Sequence, residues 1–312
     1  MTLTGYLHPT YAQSLAEFGT PRELARSGGW LLERPIPSSS ERDAMGIYPI
    51  CCCRDWSALA ADLDELAGQL VSVALVADPF GNFDTAGLGR IFDVCKPFKN
   101  HYVVDLASDP WPGVTSHHRY YARKALESLE VTIVDQPLAH LDEWCQLYGV
   151  LAVRHELTGL KAFSRAAFAQ QLAVPGLVMV RAALAGVAVG MHLWYVQGGV
   201  AYSHLMALSD EGYAHSGSYA LYWRAIEYFL SLASAGSTLR WMNLGAGAGA
   251  FGDADDGLSR FKRGWSKQSR PAYFCGRILA VERYNAIATA VGQQHSSYFP
   301  AYRAGEFAKP QT

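Results

Sequence analysis

The sequence predicts a mixed α/β (α+β) protein of two domains, each with a mixed, largely antiparallel sheet flanked by helices, and three observations carry that expectation. Apolar runs of strand length alternate with amphipathic stretches through the first half. The second half contains three consecutive strand-like runs joined by tight turns, then a helix and one more strand. Finally, 312 residues of which 50% are hydrophobic are better divided between two cores than gathered into one. We place a first domain over residues 1–136 and a second over 137–312, with the segment 280–312 free to pack back on the first.

In the first domain the runs are IYPICCC, a helical period at Trp56, Leu59, Leu63, Leu66 and Leu70, then VSVALVA, HYVVDL and LEVTIV. Cys51, Cys52 and Cys53 would alternate across a strand and could not converge on one metal, so they read as small buried hydrophobes. The second domain opens with two helices, LAHLDEWCQLYGVLAVR and SRAAFAQQLA, each with apolar residues three and four apart. Three strands follow, GLVMVRAALA, VAVGMHLWYV and VAYSHLMAL, with turns at Ala185-Gly186 and Gln197-Gly198-Gly199. After the polar loop SDEGYAHSG, the residues Tyr219, Tyr222, Trp223, Ile226, Phe229 and Leu230 form one stripe of a helix over 218–232, and TLRWMNL closes the series as a strand.

Composition narrows the function classes. Charged residues make up 17% and the formal net charge is −2, so no global basic field draws in nucleic acid, and any anion site must be local. The start MTLTGYLHPTYAQSLAEFG lacks the basic and apolar regions of a leader, and no run approaches a membrane span, so a cytoplasmic protein is expected. The six cysteines have neither C-x-x-C spacing nor matching histidines, which supports neither a disulfide framework nor a zinc site.

The order β-β-β-α-β is the core order of the GNAT acyltransferases, in which reactants meet where the central strands splay. The segment Gly257-Leu258-Ser259-Arg260-Phe261-Lys262-Arg263-Gly264-Trp265 resembles the signature near the end of the second GNAT-like domain of Fem-type non-ribosomal peptidyltransferases. Arg154-His155-Glu156 with Gly159 and Phe163-Ser164 resembles the entry to that domain, and KPFKNHYVVDL with SHHRYYARKA resembles its degenerate first domain. The resemblance spans roughly residues 45–285. It implies two tandem GNAT-like domains and transfer of an aminoacyl group from aminoacyl-tRNA to an amine of a peptide or peptide-like acceptor. It implies neither a metal nor a redox cofactor. Only Phe261 and Lys262 match the pair tied to the RNA end of the donor. The long coiled-coil arm of some members has no counterpart, since no segment sustains heptads.

Read as chemistry, the same segment is a local positive field: Arg260, Lys262, Arg263, Lys267, Arg270 and Arg277 occur with no acidic residue among them. Such a block suits a phosphate-bearing donor, a tRNA 3′ end or coenzyme A, with Phe261 and Trp265 to stack a base; a charged, solvated strand edge is the alternative. Aminolysis of an ester needs charge stabilisation at the leaving oxygen, the role expected of Lys262. Backbone N–H groups after His215-Ser216-Gly217 would serve the oxyanion, unless Ser216 or Ser218 is simply the cap of that helix. His204, Tyr202, Ser216, Tyr219, Asn243 and Arg154 are the candidate cleft or acceptor-binding residues. For His192 and His204 a buried, hydrogen-bonded role is the competing reading. Asp105 and Glu156 read equally as caps or ion-pair partners.

Gly245, Gly247 and Ala250 satisfy the dinucleotide pattern G-x-G-x-x-A, yet FGDADDGLSR follows instead of an amphipathic helix, so a loop beside the cleft is expected. Two other functions stay open. An acyl-CoA N-acetyltransferase would want a pyrophosphate loop where SDEGYAHSGSYAL stands. A non-catalytic binding module would have its cleft filled by side chains such as Trp194, Tyr195 and Trp223.

Overall fold

The computed structural model describes residues 2–248 and 256–306. Along the chain run α1 (Pro9–Gln13), β1 (Thr20–Glu23), β2 (Trp30–Pro35), β3 (Arg42–Gly46), α2 (Leu59–Glu65), β4 (Ser72–Ala77), α3 (Thr85–Ile91) and β5 (Val94–Asp105). Then come α4 (Ser116–Leu126), β6 (Glu130–Val134), α5 (Leu141–Arg154), α6 (Arg165–Leu172), β7 (Leu177–Leu184), β8 (Val187–Gln197) and β9 (Val200–Leu208). The series ends with α7 (Asp210–Ala214), α8 (Gly217–Ser234), β10 (Trp241–Gly245), α9 (Gly257–Trp265), β11 (Ser269–Ile278) and α10 (Val281–Ala290). Helix starts follow side-chain capping: Thr115 accepts from His118 N at α4, Ser164 from Ala167 N at α6 and Asp256 from two amides at α9.

The chain divides into two compact units, neither continuous in sequence: residues up to 14 with 100–270, and 15–99 with the chain from 271 onward. Residues 100–136 thus group with the elements that follow them, while 280–306 group with residues 15–99.

In the unit built on 15–99, strand order is β1-β2-β3-β4-β11. Period-two alternation in β4 buries Val73, Leu75 and Ala77 against Leu59 and Leu63 of α2, whereas Ala74, Phe274 and Ile278 pack with Tyr284 and Ala288 of α10. Cys51 and Cys52 are buried and Cys53 half-buried. A buried Arg303–Asp43 pair, bidentate at 2.6 and 2.8 Å, fixes the residues after α10.

The unit built on 100–270 has strand order β5-β10-β9-β8-β7-β6. The β7–β8 turn needs positive φ at both central residues, which Ala185 (48°) and Gly186 (84°) adopt, as a two-residue hairpin with the right-handed twist requires. All pairs are antiparallel except β9 with β10, made parallel by the α8 crossover. One face carries Val104, Trp194, Ala201, Met242 and Leu244 under α4, α8 and α9. On the other, Tyr6 and Tyr11 at the chain start meet Tyr195 and His204, and α5 lies on β8 and β9.

The parallel pairing is short. Trp241, Met242 and Asn243 pair with Val200, Ala201 and Tyr202, after which β9 continues to Leu208 paired only with β8. β10 meanwhile shifts register against β5 between Asn243 and Gly245, where Gly245 takes φ 79° and Asn243 Oδ1 accepts from its N–H at 2.9 Å. The central strands therefore part at the carboxyl end of the parallel pair, the place where open α/β sheets form crevices.

Candidate active site at the parting of β9 and β10

The segment 257–265 is a helix, not a strand edge, and its register decides what each residue does. Asp256 Oδ1 accepts from Leu258 N and Ser259 N at 2.8 and 3.0 Å. One turn on, Phe261 and Trp265 point into the core; Arg260 and Arg263 lie on the exposed side. Trp265, 1% exposed, stacks on Tyr222 with 5.7 Å between centroids and 13° between planes. It is therefore not available to stack a base, which corrects the expectation for that ring. Phe261 is half-buried among Tyr219, Tyr222 and His118.

His118 locks this helix to α4. Its Nε2–H donates to the Phe261 carbonyl at 2.8 Å, Thr115 Oγ1 lies 3.0 Å from its Nδ1, and Thr115 N donates to Gly264 O at 2.9 Å. Burial holds the His118 pKa below its ordinary value, so the ring is neutral. A Cβ at Gly264 would fall inside that ring, which explains the glycine in the Arg263-Gly264-Trp265 run.

Lys262 is 8% exposed, so it is no part of a charged, solvated strand edge. Its Nζ donates to Ala246 O at 2.6 Å, just past the end of β10. A Cβ on Gly245 would stand 2.9 Å from Nζ, so the bare backbone there leaves the ammonium its place. His192 on β8 is close enough for the Lys262 charge to act on it: burial first, and that ammonium second, push its pKa well below the ordinary range. His192 Nε2 lies 2.8 Å from Ser203 Oγ, and Nδ1 has no hydrogen-bond partner among the described residues. The Ser203 hydroxyl also bonds Tyr222, whose pKa burial pushes up to about 12 against that bond. Ser203 is the half-exposed member, on the first β9 residue beyond the parallel pairing. The arrangement offers a buried cation, a neutral imidazole and a half-buried hydroxyl, next to parted strands.

The remaining candidates lie elsewhere in this unit. Asn243 and Tyr202 are register partners and so share a sheet face, the one His204 also occupies two residues on, opposite Trp194 and Met242. There Tyr6 OH lies 3.2 Å from His204 Nδ1, and Gln171 Oε1 lies 3.3 Å from Nε2; burial pushes the His204 pKa down to about 3. His204 and Tyr202 thus hold the chain start in an aromatic cluster, and Asn243 closes the β10 bulge with His101 at 3.1 Å. This corrects the expectation that these three face the cleft with Lys262. Arg154 pairs with Asp210 at 2.6 Å and covers the Tyr213 ring, joining α5 to α7. Asp105 receives Ala107 N and Arg240, and Glu156 is an exposed residue at φ 50°.

Ser216 is the N-cap of α8 in left-handed conformation (φ 57°), with no side-chain cap bond. Tyr219 in the first turn touches His118, Phe261 and Trp265, so it lies with the α9 residues. Of the three expected cleft fillers, Trp194 packs against Tyr222 and Phe229, Tyr195 sits on the opposite face and Trp223 meets Trp111. The expected glycine-rich loop falls largely on residues 249–255, outside the described residues.

No family model and no curated protein matches the chain. Similar solved structures do. The C-terminal domain (DUF2156) of a putative lysylphosphatidylglycerol synthetase from Agrobacterium fabrum superposes with a TM-score of 0.62 at 16% identity, covering 90% of this chain and 91% of that one. FemX gives 0.63 at 12% identity, over 89% and 93%. L-PGS from Bacillus licheniformis gives 0.57 at 14%, over 89% and 94%. At these identities the likeness is one of fold, and over about nine-tenths of its length the chain has the tandem GNAT-like fold that FemX and these synthetase domains share.

Proposed function

We propose that the protein transfers an aminoacyl group from aminoacyl-tRNA to an amine of a peptide or peptide-like acceptor, at the parting of β9 and β10. The observation that carries this reading is the buried Lys262 ammonium, held on the Ala246 carbonyl where the parallel pairing stops. An aminoacyl ester laid into that gap has its ribose oxygen as leaving group. The acceptor nitrogen attacks the ester carbon, the C–O bond breaks, and the proton lost by the amine passes to the departing ribose oxygen, whose developing charge Lys262 stabilises. The Ser203 hydroxyl, bonded to the neutral His192 imidazole just beyond the parallel pairing, accepts a hydrogen bond from that amine. Exposed Arg260 and Arg263 supply the local field for the terminal phosphates, and the half-buried Phe261 offers a ring beside them. FemX and the two synthetase-type domains, similar in fold, support this class of chemistry over acetyl transfer.

The test is binding of radiolabelled aminoacyl-tRNA and of acetyl-CoA in parallel, across a salt series, with Lys262→Met as control. Salt-sensitive tRNA binding that drops at least tenfold in the variant is expected; acetyl-CoA binding alone would move the protein to the acetyltransferases, and no binding of either would leave a non-catalytic module.

A further inference from the structure

Helix α4 carries a surface that the transfer chemistry does not use. Arg119 and Arg123, one turn apart, line a groove of about 560 Å³ whose other wall is α8, with Trp111, Trp223, Glu227 and Leu230. The same two arginines line a second hollow of about 480 Å³ with Tyr120, Lys124 and, past the end of the helix, Glu127. Neither arginine, nor Lys124, has an acidic partner among the described residues. Glu227 is already engaged by Trp223 Nε1 at 2.7 Å and by Arg224. That bond fixes the Trp223 ring, which lies against Trp111 with centroids 4.2 Å apart and planes at 33°. Tyr120 is 59% exposed beside them. The helix itself, Ser116–Leu126, contains three cations and no acid, on a chain of net charge −2.

We infer that this α4–α8 groove is a docking surface for the phosphodiester backbone of RNA, the body of the donor whose 3′ end is treated at Lys262. The inference rests on the transfer reading for the identity of that RNA. Unpaired cations at helical spacing beside recessed rings match alternating phosphates and an unstacked base. A flat lipid surface does not enter a recess between two helices, whereas a nucleic-acid strand does. Continuity with the reacting site is direct: His118, next in sequence to Arg119, holds the Phe261 carbonyl one residue before Lys262. Docking on α4 therefore positions the donor relative to the helix that carries the lysine.

The experiment titrates the full chain with a fluorescent deacylated tRNA transcript and, separately, with an aminoacylated CCA trinucleotide. The variants are the pair R119E/R123E and the conservative pair R119K/R123K. Charge reversal should weaken tRNA binding at least tenfold and lower the slope of log affinity against log salt by about 1.5, as loss of two phosphate contacts requires. The trinucleotide should bind as to the wild type, and the lysine pair should restore tRNA binding to within about threefold. Lys262→Met should show the reverse pattern, losing the trinucleotide and at least tenfold of the aminoacyl-tRNA affinity while binding the deacylated transcript as the wild type does. An unchanged tRNA affinity and salt slope in R119E/R123E, or an equal loss of both probes, would overturn the groove, as would stronger binding to anionic phosphatidylglycerol vesicles than to tRNA. Wild-type protein that binds tRNA through the arginines yet ignores the aminoacylated trinucleotide would sink the transfer reading while leaving the RNA groove in place.

Discussion

At the scale of single residues, Lys262 and His204 show how burial reverses what residue type suggests. A lysine in a basic run reads as a solvated charge; here it is buried and donates to a backbone carbonyl. Lys262→Met keeps the aliphatic stem and removes the donor, so we expect a stability loss of about 1–3 kcal/mol by urea denaturation together with loss of donor binding, since a hydrogen bond to a charged group contributes about that much. His204 is a buried neutral group with its pKa pushed down to about 3, below the ordinary 6.5. The unfolded chain then binds a proton that the folded chain refuses. Its contribution is complete above pH 6.5 and is lost as pH falls toward 3, at up to about 1.4 kcal/mol per pH unit. His192, also depressed by burial, adds to the same trend. Urea midpoints measured from pH 7 to pH 5 should fall, and His204→Gln should show about half of that fall; an unchanged pH dependence would mean that His204 is solvated.

At the scale of elements, the α4–α9 clamp is the decisive local structure. Because a side chain at position 264 would collide with the His118 ring, Gly264→Ala should cost about 2–3 kcal/mol in thermal or urea unfolding. The double variant Gly264→Ala/His118→Ala should recover at least about 1 kcal/mol relative to the sum of the two single changes, the sign of a shared contact. Additive losses would show that the glycine is needed for some other reason. The clamp also explains why a nine-residue stretch could be singled out from sequence while its roles could not. Helical spacing sends Phe261 and Trp265 inward and leaves Arg260 and Arg263 outward, so a motif that looks like one binding patch is half core and half surface.

At the scale of the molecule, the units are interleaved: residues 100–136 supply α4 and β6 to the same core as α8. Val104, Leu106, Val114, Ala122, Ala125 and Leu129 are all buried there. A fragment of residues 137–312 would leave that core open, so we expect it to aggregate or to melt without a cooperative transition by circular dichroism; cooperative unfolding of the fragment would show that the second half folds by itself. Among the described residues no helix is long and apolar enough to cross a membrane.

Local pattern alone determined the mixed α/β class, the β7–β9 meander and the α8 stripe, because hydrophobic period and turn chemistry are properties of neighbouring residues. What only the tertiary structure decided were the relations between distant residues. Which face of the sheet His192 and His204 take follows from the register of β8 and β9, and a shift of one residue would exchange them. Ser203 was invisible as a partner of His192 because eleven residues and a turn separate them in the chain, and no spacing rule records a bond across an antiparallel pair. Lys262 donates to the carbonyl of Ala246, 16 positions earlier in the chain, a bond that composition does not encode.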